Sequence, residues 1–242
     1  MHVTDPTGLH VDDAFDGLEN LLVLSHYSQS TALRQPCGAA APLPTRLVVP
    51  AAYDMAALAQ RTYRVRHANS TEHPARSRML VFFGSFRLED LSYSRGFRQR
   101  AFISLHSRPG FAVEQVAPLD DYFDALRSSV FCLAASGNGF DSRLANAMAA
   151  GCIPVLVDDR LVLPLQGELP YHKFSLRVAD AHFDDLEAVL AAVPLAEVRR
   201  LQHGVRRFHR HFYWDGDGLA LNSTLRALQA HAARVQAAWM AV

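Results

Sequence analysis

The feature that most constrains the fold of this 242-residue chain is a regular alternation, from Thr45 onwards, of short apolar runs with amphipathic segments. The apolar runs are continuous, as expected of strands that are buried on both faces of a sheet. They are RLVVPA, MLVFFGS, FAVEQVA, VFCLAA, CIPVLVDD and FSLRVA. The segments predicted to be helical between them are DMAALAQRTY, GFRQRAFISLHS, DDYFDALRSS and DSRLANAMAAG. This order predicts an α/β fold, a Rossmann-like parallel sheet with helices on both faces.

The two ends of the chain differ from this central pattern. Residues 1–44 begin with acidic residues, contain one short apolar run, NLLVLS, and end in QPCGAAAPLP, a composition typical of turns and linkers. Beyond the last predicted strand, three segments carry apolar residues at spacings of three and four, which predicts a helical C-terminus. They are FDDLEAVLAAV, LAEVRRLQHGVRRFHRHFYW and LALNSTLRALQAHAARVQAAWMA.

Composition argues against several classes of function. Lys plus Arg and Asp plus Glu balance at 24 each, so the chain has no global field that would attract nucleic acid or an anionic membrane. No apolar segment approaches the ~20 residues that span a bilayer, and the start lacks a signal-peptide pattern. We therefore expect a soluble chain that makes no membrane contact of its own.

The three cysteines, Cys37, Cys132 and Cys152, form no CxxC pair. Cys132 and Cys152 lie inside apolar runs, where cysteine usually behaves as a small buried hydrophobe. The sequence thus predicts neither a disulfide framework nor a zinc site, while a single disulfide stays open.

One loop, Ala134 to Arg143, follows a predicted strand and precedes a predicted helix. In open α/β sheets ligands bind outside the carboxyl ends of strands, against the helices that follow. Glycines there allow positive φ and close ligand approach, hydroxyls cap the helix or bond a ligand, and an arginine in the first turn supplies a cationic fork. The residues that suit a phosphorylated ligand in this way are Ser136, Gly137, Gly139, Ser142 and Arg143.

A plain turn explains the same loop. Glycine with Asn, Asp or Ser is what any tight connection between a strand and a helix needs, and SGNG matches neither a P-loop nor GxGxxG. Arg143 would then be a structural ion-pair partner of Asp158 or Asp159. The loop residues alone leave both interpretations open.

A longer ordered set of motifs resembles the exostosin family of glycosyltransferases. The runs that resemble its C-terminal half are DSRLANAMAAGCIPVLVDDRLVLPL, LPYHKFSLRV and PLAEVRRLQHGVRRFHRHFYW, and upstream LVFFGSFR, YSRGFRQ and TRLVVPAAYD. The resemblance extends from about Leu21 to Trp214. It implies the GT-B architecture, with residues 1–44 as a remnant of the N-terminal domain plus linker, 45–214 as the nucleotide-sugar-binding domain and 215–242 as a C-terminal helix.

The resemblance implies transfer of a sugar from a UDP-sugar to a glycan or glycoprotein acceptor, typically in the Golgi during polysaccharide biosynthesis. Enzymes of this architecture commonly stabilise the departing diphosphate with protein donors and helix dipoles, so no metal or other cofactor is expected. The alternative is a catalytically inactive or truncated module that keeps the nucleotide-binding fold as a scaffold.

The same resemblance implies roles for two further arginines. Arg98, near the start of a helix, and Arg87, just beyond a strand, match positions expected to contact the diphosphate. A salt bridge from Arg98 to Glu89 or Asp90, and a solvated Arg87, are the structural alternatives. Arg177 is interpreted as structural.

Two positions concern the ribose and the acceptor. Asn146 lies where the family usually has an acidic residue that accepts hydrogen bonds from ribose hydroxyls, and an uncharged amide oxygen accepts more weakly. His26, in LSHYS, resembles a family histidine and is the candidate catalytic base. A polar cap on a strand end is the alternative for His26. His209 and His211 are two residues apart, so a metal site there is not expected.

Overall fold

A computed structural model describes residues 23–25, 28–29, 46–50, 76–90, 92–115, 119–137, 143–214 and 216–240. The helix predicted over DMAALAQRTY lies outside these residues. Among the helices that the structure does describe, none has the length and apolar character needed to cross a bilayer.

A five-stranded sheet forms the centre of the described part, and all its pairings are parallel. Its strands are β4 (Arg78–Phe83), β5 (Phe111–Glu114), β6 (Ser129–Ala134), β7 (Ile153–Leu156) and β9 (Leu176–Arg177), in the spatial order β5-β4-β6-β7-β9. In register, Val81 of β4 pairs with Ala112 on one side and with Cys132 on the other. The predicted α/β fold with a parallel sheet is confirmed.

Burial follows the apolar runs that predicted the strands. All four residues of β7 are buried, as are five of the six residues of β6. Such continuous burial requires cover on both faces of the sheet. The helices that connect successive strands of this sheet are α1 (Phe97–Leu105), α2 (Leu119–Ser128) and α3 (Arg143–Ala149).

Two short pairs of strands lie outside this sheet. The apolar run near the N-terminus contributes β1 (Val23–Ser25), which pairs in parallel with β3 (Arg46–Val48). β2 (Ser28–Gln29) pairs antiparallel with β8 (Leu161–Val162). The boundaries proposed at residues 44 and 214 stay predictions.

The C-terminal segments are helical, as predicted, but each of the first two contains a 3₁₀ portion. Helix α4 (Leu186–Ala191) is preceded by a 3₁₀ segment, Asp180–Asp185, and α5 (Leu195–Phe208) is followed by another, His209–Phe212. The last helix, α6, spans Ala220–Met240.

The single disulfide that the sequence left open is present. Cys132 and Cys152 are both buried, as expected of small hydrophobes, but they form a disulfide. Cys132 lies in β6 and Cys152 immediately precedes β7, and the parallel pairing of these strands brings their Cα atoms to 5.9 Å. That separation is in the normal range for a disulfide, and it depends on a strand register that the sequence does not reveal.

Candidate functional site

The order of the strands defines where a ligand would bind. From β4 the chain proceeds outwards to β5, then crosses back to β6 and continues to β7 and β9 on the opposite side. The order therefore reverses between β4 and β6, and ligands of open α/β sheets bind at such switch points, outside the carboxyl ends of the strands. Here those ends are Phe83, followed by Gly84, and Ala134, followed by Ala135–Gly137.

Arg98 lies at this switch point with its side chain only 2% exposed. Its Nε and Nη2 donate to the carbonyl oxygen of Ala135 at 3.1 and 2.8 Å, and Nη1 donates to the carbonyl of Ser85 at 3.4 Å and to the Tyr93 hydroxyl. Arg98 thereby joins the loops that follow β4 and β6. Its predicted contact with a diphosphate stays a prediction, because the guanidinium contacts are to protein oxygens.

Ser136 and Gly137 are buried where the loop after β6 begins. A Cβ atom added at Gly137 would lie 3.1 Å from the Tyr93 hydroxyl and 3.2 Å from Nη2 of Arg98. A side chain at this position would be tight against a tyrosine and an arginine, and glycine allows the close packing. The predicted role of both loop residues in ligand binding is untested.

Arg143 is the first residue of α3 and reaches across the switch point. Its guanidinium carbon is 5.0 Å from the centroid of the Phe82 ring, and a Cβ atom added at Gly84 would collide with its Nη2. Arg143 therefore lies beside the end of β4. Asp158 and Asp159, the two alternative partners proposed for it, contact Arg95 and Arg177.

Arg87 is exposed, with its guanidinium carbon 4.6 Å from the centroid of the Tyr93 ring. Its backbone has a φ of 44°, and its carbonyl accepts a hydrogen bond from Gln99 at 3.2 Å. Asp90, an alternative partner of Arg98, accepts hydrogen bonds from the hydroxyl and the backbone of Ser92 and from the backbone of Tyr93, which lower the pKa of its carboxyl. The switch point thus has three arginines of different exposure: Arg98 is buried, Arg143 is half-buried and Arg87 is exposed.

Asn146 is half-buried one turn into α3. Its Nδ2 donates to the hydroxyl of Tyr122 at 3.1 Å, and the ring of Tyr122 lies edge-on to Phe83 at the end of β4. The amide is therefore close to the switch point, and the ribose contact stays a prediction. Three other predicted site residues, His26, Gly139 and Ser142, lie outside the described residues.

The histidines near the end of α5 have separate partners. His209 Nδ1 is 2.7 Å from the carbonyl of Arg206, whereas His211 Nδ1 is 2.7 Å from the hydroxyl of Ser223. Burial, and secondarily the nearby Arg226, lowers the pKa of His211. Within the described ranges no group of three or more His, Cys, Asp or Glu is arranged to hold a metal ion.

Sequence reasoning missed two residues at the carboxyl edge of the sheet, Tyr93 and Arg95. Tyr93 contacts Arg98, Arg87 and the space beside Gly137, and Arg95 forms an ion pair with Asp158. Both lie in the motif YSRGFRQ, which was interpreted only through its second arginine. The adjacent aromatic and cationic residues were the available signal.

The fold and the arginines at its switch point define a Rossmann-like α/β domain with a candidate anion site. The model of the exostosin GT47 domain matches residues 16–193, most of the chain. The chain belongs to the exostosin GT47 family.

Several plant proteins are similar to part of the chain. A probable glucuronosyltransferase of Oryza sativa subsp. japonica is 34% identical over 111 residues, which cover 46% of this chain and 26% of that protein. A probable glycosyltransferase of Arabidopsis thaliana is 36% identical over 92 residues, 38% of this chain and 20% of that protein. A probable beta-1,4-xylosyltransferase of Arabidopsis thaliana is 29% identical over 111 residues, 46% of this chain and 27% of that protein. The chain thus spans about a quarter of the length of the curated relatives it matches.

Proposed function

We propose that this domain binds the diphosphate of a UDP-sugar at the switch point between β4 and β6 and takes part in transfer of the sugar to a glycan or glycoprotein acceptor. The observation that carries the proposal is the position of Arg143, which lies across the end of β4 in a domain of the exostosin GT47 family. The names of the relatives, glucuronosyl- and xylosyltransferases, support glucuronate and xylose as the first donor sugars to test.

The chemistry of transfer explains why arginine is needed here. When the bond between the sugar and the diphosphate breaks, UDP leaves with additional negative charge, and donors already in place lower the barrier. A guanidinium offers two parallel N–H groups to phosphate oxygens, which makes Arg143 suited to this role. We expect no metal requirement, because the arginines would supply the compensating charge.

Arg98 would support the same site from its buried side. Its hydrogen bonds to Ala135 and Ser85 hold the loops after β6 and β4 at a fixed separation, and its buried charge lies beside Gly137. Such preorganisation avoids reorienting the loop when charge develops on the leaving group. Arg87, exposed over Tyr93, would contact the outer phosphate oxygens.

We propose the Golgi as the compartment, and the disulfide supports this. Disulfides persist in oxidising environments and are rare in cytosolic proteins, and Cys132 and Cys152 are bonded in the core. Alkylation of the purified protein before and after reduction tests the pairing. Two thiols that become reactive only after reduction and unfolding would support it, and free thiols at both positions in the native protein would contradict it.

A second candidate function is a non-catalytic module that retains nucleotide binding. The observation in its favour is Asn146, whose amide is engaged with the Tyr122 hydroxyl at the place expected for a charged ribose acceptor. A site that lacks this charge is expected to bind the donor more weakly.

Calorimetric titration with UDP, UDP-glucuronate and UDP-xylose, followed by assays of donor hydrolysis and of transfer to oligosaccharides, separates the two functions. Binding accompanied by transfer supports the glycosyltransferase. Binding without turnover supports the non-catalytic module. If UDP does not bind, both proposals fail.

A further inference from the structure

The turn that precedes α1, Tyr93–Gly96, has an unfavourable backbone conformation. Ser94, Arg95 and Gly96 have φ values of 55°, 51° and 76°. Only glycine adopts this left-handed region without cost, since the Cβ atom of other residues approaches a carbonyl oxygen. The hydroxyl of Ser94 is also buried and has no hydrogen-bond partner among the described residues. A turn with these two costs persists only where its surroundings hold it.

An ion pair provides that hold. Nη1 of Arg95 contacts Oδ1 of Asp158 and lies 3.1 Å from Oδ2 of Asp180. Asp158, which follows β7, is 2% exposed and itself has a φ of 74°. Its carboxylate also accepts a hydrogen bond from the backbone of Arg160 at 3.0 Å. The two paired residues are therefore both held in the left-handed region.

The segment that contains Asp158 is held to the segment that follows the neighbouring strand β9. The backbone N–H of Asp159 donates to Oδ1 of Asp180 at 2.9 Å, and the N–H of Asp180 donates to Oδ2 of Asp159 at 3.0 Å. These reciprocal bonds join the segments that follow β7 and β9. Arg95 is thus tied to a rigid part of the carboxyl edge of the sheet.

The turn in its present conformation determines the lining of the switch point. Tyr93, at one end of the turn, packs its hydroxyl against Gly137, and Arg98, two residues after the other end, packs against the same glycine. The Tyr93 ring also lies beneath the guanidinium of Arg87. A change of backbone at Arg95 would displace these groups together.

We propose that Arg95 and Asp158 are positioning residues of the donor site, whose ion pair holds the Tyr93–Gly96 turn in the conformation in which Tyr93 and Arg98 flank Gly137. The inference rests on the proposed UDP-sugar site. Arg95 acts through the turn and does not contact the donor.

The test compares two substitutions that remove the same side chain but differ in backbone cost. Arg95→Ala loses the ion pair and retains a residue that disfavours positive φ, so the competent turn is less populated and the dissociation constant for UDP rises about tenfold. Arg95→Gly loses the ion pair as well, but glycine adopts positive φ freely. It is expected to recover most of the affinity, to within about threefold of the unsubstituted protein. Arg100→Ala is the matched control, since Arg100, in the adjoining helix α1, forms a more exposed salt bridge with Asp184.

Hydrogen exchange of the amides of residues 92–98 is measured on the same three variants, and it does not depend on UDP. Faster exchange in Arg95→Ala, but not in Arg95→Gly or Arg100→Ala, is expected. An equal loss of UDP affinity in the alanine and glycine variants would indicate direct contact and overturn the inference, as would unchanged affinity and unchanged exchange in Arg95→Ala. If the unsubstituted protein does not bind UDP, the donor site itself is wrong, and the exchange pattern alone decides whether Arg95 holds the turn.

Discussion

At the scale of single residues, Asn146 is the position where the proposed ribose contact can be tested. Its amide donates to Tyr122 at 3.1 Å, and an amide oxygen is a weaker acceptor than a carboxylate. Because the Tyr122 hydroxyl can rotate to become a donor, the position can accommodate a carboxylate of the same shape.

We predict that Asn146→Asp raises the affinity for UDP about three- to tenfold, because a charged acceptor strengthens a hydrogen bond to a ribose hydroxyl. Calorimetry with UDP measures the change, and Tyr122→Phe controls for the lost partner. Unchanged or weaker binding by a variant with an unchanged melting temperature would contradict the ribose assignment.

Arg76 is a second informative residue, at the edge of the sheet opposite the candidate site. Its guanidinium donates to four backbone carbonyls, those of Leu126, Ser129, Ala150 and Gly151. Burial, and secondarily the nearby Arg206, lowers the pKa of Arg76 to about 10. The hydrogen bonds offset the cost of burying this charge, and they join the C-terminal ends of α2 and α3 to the starts of β6 and β7.

Replacement of Arg76 by methionine should therefore destabilise the fold without affecting the site. We expect Arg76→Met to lower the free energy of unfolding by about 2–4 kcal/mol, because buried carbonyls lose their donors. Urea denaturation measures the stability, and UDP affinity of the folded variant should not change. A loss below about 0.5 kcal/mol would show that water replaces the guanidinium at little cost.

At the scale of elements, the packing of α5 depends on one glycine. Gly204 is buried, and a Cβ atom added there would collide with the carbonyl oxygen of Lys173. On the same interface the ring of Phe174 packs against Phe208, with centroids 5.4 Å apart. The obstructing atom belongs to the backbone, so it cannot move aside as a flexible side chain would.

We predict that Gly204→Ala lowers the free energy of unfolding by about 1–3 kcal/mol, despite the higher helix propensity of alanine, because the helix must shift away from the 3₁₀ turn Tyr171–Lys173. His203→Ala, at the exposed neighbouring position, supplies the control and should be neutral or stabilising. Equal or greater stability of Gly204→Ala in chemical denaturation would show that α5 is not held this closely.

The strands were easier to predict from the sequence than the exact type of helix at helix ends. Continuous apolar runs such as VFCLAA located β6 and β7 because burial on both faces leaves a clear pattern. The 3₁₀ segments beside α4 and α5 were predicted only as helical, since apolar spacing does not distinguish the 3₁₀ from the α hydrogen-bonding pattern at helix ends.

At the scale of the whole molecule, the ordered motifs predicted the family. Arg143 lies beside the end of β4, and its role in ligand binding stays a prediction. The environment of Arg98 was not predictable, because its partners Ala135, Ser85 and Tyr93 are set by tertiary packing. The disulfide between Cys132 and Cys152 likewise depends on strand register. Contacts between distant segments were thus the part that sequence patterns could not supply.

We propose that the switch point between β4 and β6 binds the diphosphate of a nucleotide sugar through Arg143. The most direct test of this proposal is the affinity for UDP of Arg143→Ala, compared with Arg78→Ala, which removes an exposed arginine at the start of β4, the opposite edge of the sheet. We predict that Arg143→Ala weakens binding by about 1.5–3 kcal/mol, the range of a hydrogen bond to a charged group, with little change in melting temperature, and that Arg78→Ala binds normally. Equal affinity in the two variants, or an Arg143→Ala protein that binds normally but unfolds more readily, would contradict this assignment and make Arg143 a structural residue.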